Sequence, residues 1–136
     1  MKKILYIASK NEGKISEYKK MLANINCQLL LQPNQIDIIE DGRDFRENAI
    51  KKACGVSIAT NSYSLADDSG LCVMSLNNRP GIFSSRYAND DESRIEKLLG
   101  ELEGEDNREA FFVANLCLSS PEGKIIIEIG RASCRE

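Results

Sequence analysis

Short β-rich runs alternate with segments of helical period from one end of the chain to the other. That alternation restricts the chain to a mixed α/β architecture. Lys2 to Ser9 is the first apolar run, and beyond the loop Ser9-Lys10-Asn11-Glu12-Gly13 the residues Ile15, Tyr18, Met21 and Leu22 fall at helical spacing. Cys27 to Leu31 is a second strand, ended by Gln32-Pro33-Asn34, and Ile36, Ile38 and Ile39 lead into the turn Glu40-Asp41-Gly42. Phe45, Ala49, Ala53 and Val56 then share one face of a helix of about four turns, with Asp41 or Asp44 as its N-cap. Tyr63 to Ala66 and Leu71 to Leu76 read as strands interrupted by Asp67-Asp68-Ser69-Gly70, and Pro80-Gly81 opens an irregular loop reaching Asn89. Asp90 caps a helix with Ile95, Leu98, Leu99 and Leu102 on one side. Ala110 to Ser119 is a strongly apolar strand, and after the turn Pro121-Glu122-Gly123 a return strand begins at Lys124 to Ile127. The predicted fold is one α/β domain, a mixed twisted sheet flanked by helices.

The strand pattern is lost at Ile129-Gly130-Arg131-Ala132-Ser133-Cys134-Arg135-Glu136, an octapeptide that matches one reading frame of a common sequencing adaptor. The expected division is therefore residues 1–128, a partial domain, and residues 129–136, a non-native tail. With 136 residues, 42% of them apolar, the chain can bury a core without disulfides. Five odd, widely spaced cysteines without a C-x-x-C pair point to a reducing, cytoplasmic setting rather than to zinc or redox work. The first apolar run is too short for a signal peptide, and no window is long enough to span a membrane. A formal charge of −3 argues against wrapping a nucleic-acid duplex. Histidine is absent, which removes Ser-His and Cys-His nucleophile systems, two-His zinc motifs and any imidazole base. Carboxylates, lysines and a bound metal are left for chemistry.

Three segments could carry it. Ser9-Lys10-Asn11-Glu12-Gly13-Lys14 lies between a strand and a helix, where free N–H groups and the helix dipole favour an anion. It is not a P-loop, because Ala8 and Ile15 stand where that motif needs Gly and Ser or Thr. Taken alone, the segment is better explained as an ordinary turn with a solvated lysine. In the second segment, Glu40 stands at the rim of a sheet, and Asn48 and Lys52 lie one helical turn apart, so both could face a cleft. Alternatively Glu47 and Lys51 form an exposed pair and the others are simply solvated. The third segment, Asp67-Asp68-Ser69-Gly70, sets two carboxylates side by side between buried strands. That arrangement is costly unless a cation such as Mg2+ offsets it. An Asx turn capped by Asp67 is the competing explanation.

Taken in order and spacing, Ser9-x-Asn11-x-Gly13-Lys14-x-x-Glu17, Glu40-x-Gly42-x-x-Phe45-x-Glu47-Asn48-Ala49-x-x-Lys52-Ala53, Ala66-Asp67-Asp68-Ser69-Gly70-Leu71, Pro80-Gly81-Ile82-x-Ser84-x-Arg86-Tyr87 and Ala110-x-Phe112 resemble the inosine triphosphate pyrophosphatases. The resemblance runs over residues 1–128. It departs at Ser9-Lys10, where Thr-Gly is usual, and it lacks the later Gly-Phe-Gly-Tyr-Asp-Pro and Ser-His-Arg segments that help recognise the purine. The implied fold is that of these pyrophosphatases, incomplete at its C-terminal end. The implied reaction is hydrolysis of dITP, ITP or XTP to the monophosphate and pyrophosphate. Mg2+ would be held by Glu40 and Asp68, with Asp68 also the base. Lys14 and Lys52 would clamp the phosphates, and Ser9, Asn11 and Gly13 would position them. Asn48 would help bind substrate, and Ser69 and Arg86 are further binding candidates. The resemblance also implies a homodimer for a full-length parent, and the residues present are its triphosphate-handling portion, expected to turn over little alone. A pyrophosphatase for modified pyrimidine triphosphates and a non-catalytic nucleotide-binding module are the alternatives.

Overall fold

The computed structural model describes residues 3–135; Lys2, where the first run was expected to open, and Glu136 of the expected tail lie outside them. Nine elements follow one another: β1 (Lys3–Ile7), α1 (Glu12–Met21), β2 (Cys27–Leu31), α2 (Phe45–Thr60), β3 (Tyr63–Val73), β4 (Arg79–Pro80), α3 (Asp91–Glu101), β5 (Ala110–Ser119) and β6 (Ile125–Arg135). The strands form one twisted mixed sheet in the order β2-β1-β3-β5-β6, with β4 beside β3. β1 runs parallel to both β2 and β3, whereas β3, β5 and β6 are successively antiparallel.

The two parallel crossovers run in opposite directions across the sheet, α1 leading from β1 out to β2 and α2 from β2 back past β1 to β3. Because such crossovers are right-handed, α1 and α2 must cover opposite faces. Their cores agree with that. Tyr18 of α1 packs on Ile7 and Leu65, while Ala49, Ala53 and Val56 of α2 pack on Ala8, Ala66 and Cys117. Each helix starts on a side-chain cap. Asn11 Oδ1 accepts from the Gly13 N–H at 2.8 Å. Of the two aspartates considered for α2, Asp44 is the cap, accepting from the Glu47 N–H at 2.8 Å, while Asp41 pairs with Lys51. Glu47 pairs with Arg43 rather than with Lys51. Asp90 caps α3 through the Ser93 N–H at 2.7 Å.

Two expectations are corrected. β3 is not interrupted at Asp67-Asp68-Ser69-Gly70 but is continuous, because β5 pairs with it residue by residue from Ser64↔Ser119 to Val73↔Ala110. Backbone pairing is indifferent to the carboxylates, whose side chains leave the sheet above and below. Nor does the strand pattern end near Glu128. β6 continues to Arg135, with Ile129 opposite Leu116 and Arg135 opposite Ala110. The long β5 presents a full row of backbone donors and acceptors, and these can pair with a polar segment as readily as with an apolar one. On the α1 side of the sheet an apolar groove of about 580 Å3 stays open, bounded by Leu5, Leu22, Ile25, Leu116, Ile127 and Ile129.

Candidate active site

The site grows from the strand order. β2 and β3 flank β1 on either side, so the chain departs from the carboxyl end of β1 at a point where the topology reverses, the usual place for a crevice in an open parallel sheet. β1 pairs with β3 only from Leu5↔Tyr63 to Ile7↔Leu65, and β3 then runs on past the end of β1, paired there only on its β5 side until β4 joins at Cys72. Asp67 and Asp68 lie on the overhang. A cleft of about 310 Å3 opens beside it, lined among others by Ser9, Lys10, Gln32, Asp37, Glu40 and Lys52.

Successive strand residues face opposite sides, so the two aspartates part company. Asp67 turns toward α1, where Lys14 Nζ lies 3.0 Å from its Oδ2 and 3.9 Å from Glu17 Oε2. Tyr18 is buried beside them, and burial, with the Asp67 charge adding to it, pushes its hydroxyl well above the usual tyrosine range. Asp68 turns toward α2. There Lys52 Nζ lies 3.6 Å from Asp68 Oδ1 and 3.5 Å from Glu40 Oε1, and it also donates to the Asp67 carbonyl. Both lysines therefore converge on Asp67, one on its carboxylate and one on its backbone.

Asp68 is the most constrained group of the set. Its side chain is 14% exposed, and its Oδ2 has no hydrogen-bond partner among the described residues. Burial raises its pKa above the ordinary aspartate value; Lys52 opposes the shift and Glu40 adds to it. A buried carboxylate oxygen left unpaired next to a second carboxylate suits a hard dication. Among the described residues no three acidic, cysteine or histidine side chains cluster closely enough to cage one. An ion held by Glu40 and Asp68 would complete its shell with water and substrate oxygens, which is the habit of Mg2+.

The structure thus brings together Ser9, Glu40, Lys52 and Asp68, with Lys14 reaching the same strand from the opposite face. The other predicted residues stand apart from that arrangement in different ways. Asn11 Oδ1 and the Gly13 N–H are spent on each other in the α1 cap, and Ser9 Oγ accepts from the Asn11 N–H at 3.1 Å. Asn48 is only 1% exposed, and its Oδ1 accepts from the Gly42 N–H at 2.7 Å, so it does not face an open cleft. Ser69 is half-buried opposite Ala114, on the Asp67 side of β3. Arg86 lies at the exposed end of the 3-10 turn Gly81–Arg86, its guanidinium 5.0 Å from the Phe83 ring. That turn is fastened to β3 by Ser84, whose hydroxyl accepts from the Leu71 N–H at 3.0 Å and donates to the Gly81 carbonyl at 2.6 Å. Sequence reasoning missed Gln32 and Asp37 on the cleft wall. It also treated Lys10 only as a departure from a pattern, although Lys10 Nζ binds Asp37 Oδ1 at 2.6 Å. A charged residue in a loop gives no local sign of which other loop it will meet.

The fold and site define an α/β protein with a lysine- and carboxylate-lined cleft at the switch point of its sheet, suited to an anionic ligand and a divalent cation. The chain belongs to the Ham1 family, whose model matches residues 5–135. Among its relatives, the dITP/XTP pyrophosphatase of Prochlorococcus marinus subsp. pastoris is 60% identical over 134 residues, 98% of this chain and 69% of that protein. The dITP/XTP pyrophosphatase of Prochlorococcus marinus strain NATL1A is 54% identical over 125 residues, 92% of this chain and 63% of that one. The solved Staphylococcus aureus Ham1 protein superimposes with a TM-score of 0.83 at 37% identity, covering 97% of this chain and 70% of its own. The nucleoside-triphosphatase / dITP/XTP pyrophosphatase from Mycobacterium abscessus does so with a TM-score of 0.81 at 30% identity, over 96% and 72%. The chain thus spans about two thirds of the length of these relatives. Among the described residues no helix is long and apolar enough to cross a membrane.

Proposed function

We propose that this chain carries the triphosphate-handling part, residues 1–128, of a hydrolase that cleaves dITP, ITP or XTP into the nucleoside monophosphate and pyrophosphate. The observation that carries this reading is the Glu40–Lys52–Asp68 group beside the Ser9 loop, with one buried Asp68 oxygen left without a partner among the described residues. The names of the relatives supply the substrate class.

In this mechanism a water attacks the α-phosphorus of the bound nucleotide. A new oxygen–phosphorus bond forms, the bond to the bridging α–β oxygen breaks, and pyrophosphate departs. Asp68 takes the proton of the attacking water. The burial that raises its pKa makes it a stronger base than an exposed aspartate. Lys52, fixed between Glu40 and Asp68, stabilises charge that develops on the phosphates, and Lys14 meets them from the other side of Asp67. The Ser9 hydroxyl and the Asn11 amide nitrogen orient the phosphate chain at the N-terminus of α1, where the helix dipole favours negative charge, while the Gly13 N–H stays engaged in the cap on Asn11 Oδ1. Mg2+ held by Glu40 and Asp68 would supply charge neutralisation on the phosphates and a more acidic water.

Cysteines 27, 54, 72 and 117 are free thiols, which favours a reducing cytoplasm as the working compartment. Homodimerisation of a full-length parent rests on the family resemblance alone. The test is to incubate ITP with a full-length parent that carries these residues, in the presence and absence of Mg2+, and to resolve the products. Inosine monophosphate and pyrophosphate formed only with the divalent ion, and lost in Asp68→Asn, are the expected result. Release of orthophosphate, or nucleotide binding with no turnover, would overturn the proposal.

A further inference from the structure

Glu40 sits on a stretch with no secondary structure, residues 36–42 between β2 and α2, yet it must face Asp68 closely enough to share a lysine with it. An irregular segment does not hold a carboxylate in register by itself; something rigid has to grip it. Three side chains of α2 do so, and they differ in kind. Lys51 reaches Asp41 on the surface, where side chains of both are largely exposed. Lys52 reaches Glu40 itself at 3.5 Å, a distance that leaves room for rearrangement. Asn48 is the buried grip, with its Oδ1 2.7 Å from the Gly42 nitrogen.

The joint is tight from both sides. A Cβ on Gly42 would come within 2.6 Å of Asn48 Oδ1 and 2.8 Å of Glu47 Cβ, so the loop closes on the helix only because residue 42 has no side chain. Asn48 stands one helical turn before Lys52, the side chain that reaches both Glu40 and Asp68, so the grip on Gly42 and the shared lysine lie along the same face of α2.

We propose that Asn48 is a positioning residue: it ties the Glu40–Gly42 loop to α2 and sets the spacing between the Glu40 and Asp68 carboxylates without touching the nucleotide. The inference rests on the reading of these carboxylates as a cation centre. It departs from the expectation that Asn48 binds substrate. Functional constellations lose effect when a supporting shell lets them spread by even part of an ångström, and a single buried hydrogen bond to an irregular loop is the kind of contact that prevents this.

The experiment uses the whole chain and two readouts that do not depend on turnover. Amide exchange at Gly42, followed by NMR, reports the joint itself. Mn2+ titration followed by electron paramagnetic resonance reports the carboxylate pair. Asn48→Ala is expected to speed exchange at Gly42 at least tenfold and to weaken Mn2+ binding about tenfold. Asn48→Asp, which keeps an oxygen acceptor, should leave Gly42 protected. If Asn48→Ala does not fold, Gly42→Ala loads the same joint from the loop side and should weaken Mn2+ binding likewise. Unchanged Gly42 exchange in Asn48→Ala would overturn the inference. So would unchanged Mn2+ affinity in a protein whose Glu40→Gln and Asp68→Asn variants do lose Mn2+, or a raised nucleotide Kd at unchanged Mn2+ affinity. If Mn2+ binding were indifferent to Glu40→Gln and Asp68→Asn as well, the cation centre would fall and this inference with it.

Discussion

Asp68→Asn should separate stability from chemistry. The carboxylate is 14% exposed, its Oδ2 is unpartnered, and Lys52 approaches its Oδ1 only to 3.6 Å. A buried polar atom without a partner costs about 1–3 kcal/mol, more when charged. The substitution removes that charge while Lys52 keeps Glu40 at 3.5 Å and the Asp67 carbonyl, so the lysine is not stranded. The stability change at pH 7 should therefore lie between zero and about 2 kcal/mol in favour of the variant. In a full-length parent, turnover should fall at least tenfold, a loss of about 1.4 kcal/mol or more of transition-state stabilisation. The pH dependence gives a second reading. Because the folded-state pKa of Asp68 is raised, the folded chain takes up this proton at a higher pH than the unfolded chain does. The stabilisation is fully present below the unfolded value, near 3.8, and is lost as pH rises through the folded one. Urea unfolding of both proteins from pH 3 to pH 7 should show that this fall is flattened in Asp68→Asn. A variant less stable than the parent chain by more than about 1 kcal/mol at pH 7, or one retaining over about a tenth of the rate, would refute the reasoning.

Lys52→Ala is expected to destabilise the fold by about 3 kcal/mol at neutral pH, because it leaves Asp68 and Glu40 facing each other without a cation. The loss should shrink in acid as the carboxylates protonate, which denaturant titrations at two pH values will show. Lys14→Ala should raise KM for triphosphates while leaving the ITP to GTP ratio unchanged in competition assays, since it would meet phosphates that both carry. Gly70→Ala should cost about 1–3 kcal/mol by thermal unfolding. A Cβ there would stand 2.5 Å from both the Gly81 carbonyl and Ser84 Oγ, loosening the turn that Ser84 fastens to Leu71. Asp44→Ala removes the cap of α2 and should cost about 1 kcal/mol in the same measurement.

What local pattern can encode was readable from the chain itself. Cys27–Leu31 and Ala110–Ser119 are strands with the expected limits, and Asp90 and Asp44 cap the helices whose apolar faces are spaced behind them. The separate duties of Asp67 and Asp68 follow from the two-residue period of a strand. The family resemblance needed no more than ordered motifs. Tertiary structure alone decided the rest, because the partners come from distant parts of the chain. β3 stays whole across four polar or flexible residues, and β6 runs on to Arg135, because β5 holds both with backbone bonds that carry no side-chain signature. Lys14 and Lys52 meet one strand from opposite faces because right-handed crossovers put their helices there. Asn48, spaced like a cleft residue, is buried because the Gly42 loop folds over it, and Arg86 points outward onto Phe83. A helical or strand period tells which residues share a face, but what that face meets is fixed by the packing of elements far away in sequence.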